Sequence, residues 1–252
     1  MGSDMTGRRR WTADEILDKA AELLRTGDTE SFSLRRLAAA LGTDSSSLYR
    51  HFRNKTELLR EVADRVLQTA MADHRAGADG TDRADGAYGA DGADWKERVT
   101  ALALRLREGF GEQPQLAAIW GRYGSGGAGS RLVMEELLRI LHDAGLPERE
   151  VPVRYHRLVV LLSALISAEG GLGSVAPEEY EQGLEQFRVA VLGADPERFP
   201  MLARFAREVR PLGADRRAAF EELLAAQLAD IEASLATPVE ASVEASSEAS
   251  AG

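Results

Sequence analysis

The sequence predicts an all-α fold, a small N-terminal three-helix unit followed by a larger helical domain. Two observations carry this: apolar residues recur at helical spacing along most of the chain, and β-branched alternation is almost missing. A third is punctuation, since capping patterns open the periodic stretches and Gly or Pro closes them. A hydrophobic fraction of 44% over 252 residues is enough to build a sizeable core.

The first helix opens at Thr12, where Thr12-Ala-Asp-Glu15 has the form of a capping box, and Ile16, Ala20, Leu23 and Leu24 make its buried stripe up to about Gly27. Ser33 caps a second helix that turns Leu37, Ala38 and Leu41 inward and stops at Gly42, a residue free to take positive φ. Asp44 caps a third, very short helix over Ser45 to about His51. Asn54-Lys-Thr-Glu57 repeats the capping-box pattern and opens a long fourth helix with Leu58, Val62 and Val66 inward. Residues 76–94 hold six Ala, five Gly and five Asp without an apolar face, the composition of a flexible linker. Trp95 restarts the helical pattern, which breaks at Gln113-Pro114, Gly124–Gly129, Gly145–Pro147, Gly170–Pro177, Gly193–Pro196 and Pro211–Gly213, giving about six further helices. From Thr237 a repeated Glu-Ala-Ser lacks large apolar anchors and predicts disorder. The domains expected are a basic arm over 1–10, a first domain over 11–75, the linker over 76–94, a second domain over 95–236 and a tail over 237–252.

The net charge of −10 is unevenly placed. Residues 1–75 carry 13 basic and 12 acidic side chains, 31–60 carry 6 against 2, and Arg8, Arg9 and Arg10 add a basic arm upstream. A helix, a Gly-containing turn and a helix within Leu34–Phe52 have the size of a helix-turn-helix unit. With Leu48 and Phe52 given to the core, the third helix presents Ser45, Ser46, Ser47, Tyr49 and Arg50, with His51 at its end. Such short polar side chains let a helix approach base edges in a major groove. The same pattern also fits a plain helical bundle in which Tyr49 edges the core, His51 caps locally and Arg35 and Arg36 are solvated.

The segment FSLRRLAAALGTDSSSLYRHFRNKTELL, residues 32–59, resembles the tetracycline-repressor (TetR) family, most specifically through Leu48-Tyr49-x-His51-Phe52-x-Asn54-Lys55-x-x-Leu58-Leu59. Thr43 stands where the family often has an aliphatic residue and Ser46 where Gly or Pro is common. FPMLARFAREVRPL (199–212) and FEELLAAQLADIEASL (220–235) are similar to the final helices of some members. The resemblance implies a cytoplasmic, homodimeric transcriptional regulator with double-stranded operator DNA and a small-molecule effector as partners. Its DNA-contacting set would be Ser33, Arg35, Arg36, Thr43, Ser45, Ser46, Ser47, Tyr49, Arg50, His51 and Lys55. Within it Arg35 would reach a guanine edge, Arg36, Tyr49 and His51 would meet phosphate, and Lys55 would fix docking at the start of the fourth helix. The resemblance also places the helices near Val153–Glu169 and Ala214–Leu235 in an intersubunit four-helix bundle. Phe110, Trp120, Tyr123, Met134, Leu138, Tyr155, Ser163 and Glu169 are candidates to line an effector pocket between helices, with His156 a further polar candidate. Repression relieved by effector is the expected mechanism; activation, ligand-enhanced binding and a helical interaction module without DNA binding are the alternatives.

Other function classes fare poorly. The chain has no cysteine, which removes disulfides and thiolate chemistry and fits a reducing compartment. The four histidines, 51, 74, 142 and 156, lack metal-ligand spacing, so no metal or cofactor is expected. Gly124–Gly129 lacks the Gly-Lys-Ser/Thr ending of a phosphate loop, and no Gly-x-Ser-x-Gly elbow occurs, so no enzyme activity is expected. The longest strongly apolar run, Leu158–Ala168, is shorter than the roughly 18 residues that span a bilayer, and no membrane association is expected.

Overall fold

The computed structural model describes residues 10–25, 32–79, 95–124, 126–173, 175–211 and 214–236. Every regular element among them is helical. Most of the basic arm, the linker from residue 80 and the tail lie outside the described residues.

Helix α1 (Ala13–Arg25) starts on the expected capping box: the Glu15 amide donates to Thr12 Oγ1 at 3.2 Å and the Thr12 amide donates back to Glu15 Oε2 at 2.9 Å. It buries Ile16, Leu17, Ala20 and Leu24, while Leu23 is only partly covered. Helix α2 (Leu34–Ala40) is capped by Ser33, whose Oγ accepts from the Arg36 amide at 3.2 Å, and Gly42 follows it with φ +64°. Helix α3 (Ser45–Tyr49) is one turn long and stops short of His51, because Phe52 must dive back into the core. Helix α4 (Lys55–Asp79) is capped by Asn54, whose Oδ1 accepts from the Glu57 amide at 2.8 Å. The return bond of this capping box goes one residue further back, from the Arg53 amide to Glu57 Oε2 at 2.6 Å. α4 also runs past residue 76, where composition placed the start of the linker: Ala and Asp tolerate a helix, and Ala70 and Met71 already tie its preceding turn to the core.

Seven helices follow among the described residues: α5 (Trp95–Gly111), α6 (Pro114–Tyr123), α7 (Ala128–Asp143), α8 (Val151–Gly173), α9 (Pro177–Leu192), α10 (Pro200–Arg204) and α11 (Arg216–Leu235). α4 is the spine. It packs against α1 on one side and against α5, α6 and α7 on the other, so the first four helices and the rest share one continuous core. α6 lies close along α8, and α11 covers part of α8.

The helices do break within Gly124–Gly129 and Gly170–Pro177, but one glycine at the edge of each cluster lies inside a helix at a close-packing site. α8 continues through Gly170 to Gly173, and glycine is required at 170 because a Cβ there would fall 2.4 Å from the Pro114 carbonyl oxygen and 2.6 Å from Ala117 Cβ. α7 already begins at Ala128, and its Gly129 sits against the α4 backbone with no room for a side chain.

By length and composition α8 meets the requirement for crossing a bilayer, which the shorter run Leu158–Ala168 did not suggest. In the fold one face, Leu158, Leu162, Ile166 and Gly170, is buried against its neighbours, while Val153 and Val160 on another face are about half exposed. On α11, Phe220, Leu224, Leu228 and Ile231 point inward and Leu223 outward. The two helices expected to join subunits therefore each leave apolar side chains uncovered beside a packed face, Val153 and Val160 on α8 and Leu223 on α11. α9 packs chiefly on α10, and Val189, Leu192, Phe199, Met201, Phe205 and Val209 of this arm are exposed.

Candidate nucleic-acid interface and internal cavities

The α2–α3 unit is anchored from within and polar outside. Leu34, Leu37, Ala38, Leu41, Leu48 and Phe52 are buried, so the rim left over is made by the residues the sequence singled out. Ser33, Arg35, Arg36, Ser46, Tyr49, Arg50 and His51 are exposed; Thr43, Ser45, Ser47 and Lys55 are half-buried. Tyr49 is 56% exposed, too open for an aromatic that serves the core.

The acidic residues of this patch are tied to backbone. Asp44 Oδ1 accepts from the Ser47 amide at 3.1 Å and also holds the Ser46 hydroxyl, while Glu57 is engaged with the Arg53 amide. Both carboxylates thus sit at helix starts, where the backbone takes up part of their charge. The surrounding guanidinium groups of Arg35, Arg36 and Arg50 dominate the rim. Arg50 Nη2 donates to Ser47 Oγ at 3.1 Å, bracing α3 along its own length. Lys55 Nζ donates to the Phe32 carbonyl at 2.5 Å and lies 5.8 Å from the Phe32 ring centroid, so its ammonium locks the segment before α2 onto the start of α4.

The candidate pocket residues fall into two separate cavities. One, of about 220 Å³, lies among α4, α5, α6, α7 and α8 and takes in Trp120, Met134 and Tyr155 together with Leu67, Ser130 and Val159. Burial pushes the Tyr155 hydroxyl above its ordinary range, so it stays a neutral hydrogen-bonding group. The other, of about 360 Å³, is lined by Phe110, Glu169, Arg107 and Arg216. There Glu169 is spent on an ion pair with Arg107 at 2.9 Å, and the Arg107 guanidinium also lies 5.5 Å from the Phe220 ring centre. Phe110 and Trp120 stack at 4.9 Å between ring centroids, Phe110 lining the larger of these two cavities and Trp120 the smaller. Leu138 packs against the core and Ser163 Oγ donates to the Val160 carbonyl at 3.0 Å; neither lines these cavities. His156 is exposed on α8. The Tyr123 side chain lies outside what the structure describes.

Sequence reasoning missed Leu67, Leu106, Val133, Leu137, Val159 and Leu162 as cavity wall, because an apolar residue at helical spacing has the same signature whether it meets a neighbour or a void. It also missed Asp64, a carboxylate only 1% exposed. Its signal was available: an acid set between Ala63 and Val66 on the stripe that α4 turns inward.

Comparison with known proteins agrees with this architecture. Residues 16–62 match the family model for bacterial regulatory proteins of the tetR family, and residues 88–235 match the tetracyclin repressor-like C-terminal domain. The HTH-type transcriptional repressor DrrR1 of Streptomyces coeruleorubidus is 27% identical over 176 residues, which is 69% of this chain; the chain spans 56% of that relative's length. A protein of Streptomyces coelicolor A3(2) assigned as a transcriptional regulator has a crystal structure with 63% identity and a TM-score of 0.71, over 91% of this chain and 100% of that one. ActR of Streptomyces coelicolor, solved in complex with actinorhodin, shares the fold at 24% identity with a TM-score of 0.73, again over 91% and 100% of the two chains. The family models together cover most of the chain, the N-terminal one falling on α1 to α4 and the C-terminal one reaching the end of α11. The chain belongs to the tetR family, non-enzymatic DNA-binding transcriptional regulators of bacteria.

Proposed function

We propose that this regulator is a cytoplasmic homodimeric repressor that holds a pseudo-palindromic operator when ligand-free and leaves it when a small molecule occupies the second domain. The observation that carries the reading is the rim of α3: a one-turn helix pinned by Leu48 and Phe52 whose remaining surface is hydroxyl, phenol, imidazole and guanidinium. Residues 11–75 form the reading domain. In it Ser45, Ser46, Ser47 and Thr43 approach base edges, Arg35 pairs with a guanine, and Ser33, Arg36, Tyr49, Arg50, His51 and Lys55 grip phosphate. One such head is too small for a long operator, and two heads on half-sites about a helical turn or more apart require a dimer. The uncovered apolar residues Val153 and Val160 of α8 and Leu223 of α11 supply the contact.

Residues 95–236 form the sensing and pairing domain, and the 220 Å³ cavity is the effector site. Support comes from proteins of the same fold: DrrR1 is named a repressor, ActR is solved with actinorhodin, and BioQ is solved with its double-stranded DNA operator at a TM-score of 0.52.

The test is capture of genomic fragments by the purified protein. Recovered fragments should share an inverted repeat, and affinity for it should fall linearly with salt on logarithmic axes. A screen of small molecules by thermal shift should then yield a binder that dissociates this complex. Enrichment of no fragment over a scrambled duplex would overturn the proposal.

A further inference from the structure

Asp64 is buried on α4, outside the DNA-reading rim and not itself among the residues that line either cavity. Its carboxylate faces the first turn of α7: Oδ2 accepts from the Gly129 amide at 2.8 Å and Oδ1 from the Ser130 amide at 3.0 Å. Gln68, one turn further along α4, donates to Oδ2 at 3.1 Å. α7 has no side-chain cap of its own, since Gly127 stands at its N-cap. A residue of α4 therefore satisfies two of the amides that the start of α7 leaves open, and places its charge where the helix dipole favours an anion. The fit demands glycine. A Cβ at 127 would lie 2.4 Å from Asp64 Cγ, and one at 129 would lie 2.3 Å from the Asp64 carbonyl oxygen.

The same junction borders the 220 Å³ cavity. Gly124, Gly126 and Ser130 line it from the α6–α7 side, and Leu67, one turn beyond Asp64, lines it from α4. Toward the other end of α4, nine residues back and roughly 13 Å away along the helix, Lys55 holds the Phe32 carbonyl at the entrance to α2. A molecule entering the cavity presses on Ser130 and Leu67, on either side of the carboxylate. We infer that Asp64 is the positioning residue that couples the cavity to the DNA-reading helices, by setting the seat of α4 on the first turn of α7. This rests on the reading of the cavity as effector site and of α2–α3 as the reading unit. Because coupling is reciprocal, DNA bound at α3 must be felt at the first turn of α7, which makes the inference testable without knowing the effector.

Full-length wild type, Asp64→Asn and Gly129→Ala are compared on a duplex that wild type enriches from a random library, by anisotropy and by hydrogen-exchange mass spectrometry with and without that duplex. In wild type the duplex should alter exchange over residues 45–56 and also over 126–134. Asp64→Asn turns an amide donor toward an amide N–H, and Gly129→Ala wedges the same seat from the α7 side. In both, the response at 126–134 should disappear while that at 45–56 persists, and affinity should drop roughly tenfold. If the duplex leaves 126–134 of wild type untouched, or changes it equally in the folded variants, the inference falls and the DNA-binding reading stands. If wild type enriches no duplex, both fall.

Discussion

Lys55 and Arg35 belong to one basic patch but should fail in different ways when removed. Lys55→Ala takes away a charge proposed to rest on phosphate, so it should weaken operator and scrambled duplex alike and make the salt slope shallower by about one unit for each phosphate no longer neutralised. It also frees the Phe32 carbonyl, so unfolding stability should fall by about 1 kcal/mol. Arg35→Ala should cost roughly 1 to 3 kcal/mol on the operator and relax preference at one symmetric pair of positions, with a smaller loss on scrambled DNA. Fluorescence anisotropy at several salt concentrations separates the two; operator binding by both folded variants at the wild-type level would remove the docking model. Arg35 was legible in advance because it stands exposed on α2, and Lys55 because it opens α4 within the capping-box pattern, although its bond to Phe32 was not. Asp64 was not, since its partners are backbone amides of a helix more than 60 residues away in sequence.

The elements show how small residues set geometry. Gly170 is where α8 crosses the start of α6, and Gly121 plays the reciprocal part, since a Cβ there would overlap Ser167 Oγ. Gly170→Val should therefore destabilise the fold by about 1 to 3 kcal/mol or more, read as a drop in denaturant midpoint, whereas Gly171→Val, with open space around it, should be close to neutral in packing. Equal effects would mean that α6 and α8 are not in close contact at this crossing. Near the end of α4, His74 is held below its ordinary pKa of 6.5 chiefly by burial, with Arg98, Arg105 and Arg75 acting in the same direction and Glu136 against it. An unfolded chain takes up this proton more readily than the folded one. The contribution of His74 to stability is thus constant well above 6.5 and should decline as pH falls from 6.5 through the lower folded value. His74→Gln should flatten that part of the profile in urea unfolding at a series of pH values.

For the molecule as a whole, the open question for mutagenesis is what covers the outer strips of α8 and α11. Val160 and Leu223 are 51% and 46% exposed on helices whose other faces are packed. If these strips join two subunits, Val160→Asp buries an unpaired charge and should weaken dimerisation by about 3 kcal/mol or more, roughly a hundredfold, in sedimentation equilibrium. Operator affinity should fall with it while the helical content stays unchanged. An unaltered sedimentation profile for Val160→Asp and Leu223→Asp together would move the interface elsewhere, with the exposed apolar residues of the α9–α10 arm next in line.

The sequence by itself determined the helical class, the capped starts of α1 to α4 and the polar rim of α3, since each depends on residues within one or two turns of each other. It also carried the family, through the contiguous stretch from Leu37 to Leu59. Only the tertiary structure decided which glycines stop a helix and which let two helices touch, how the pocket candidates divide between two cavities, and that a buried aspartate of α4 caps α7. Those outcomes depend on distances between segments far apart in the chain, where periodicity tells that a residue faces inward but not what it will meet there.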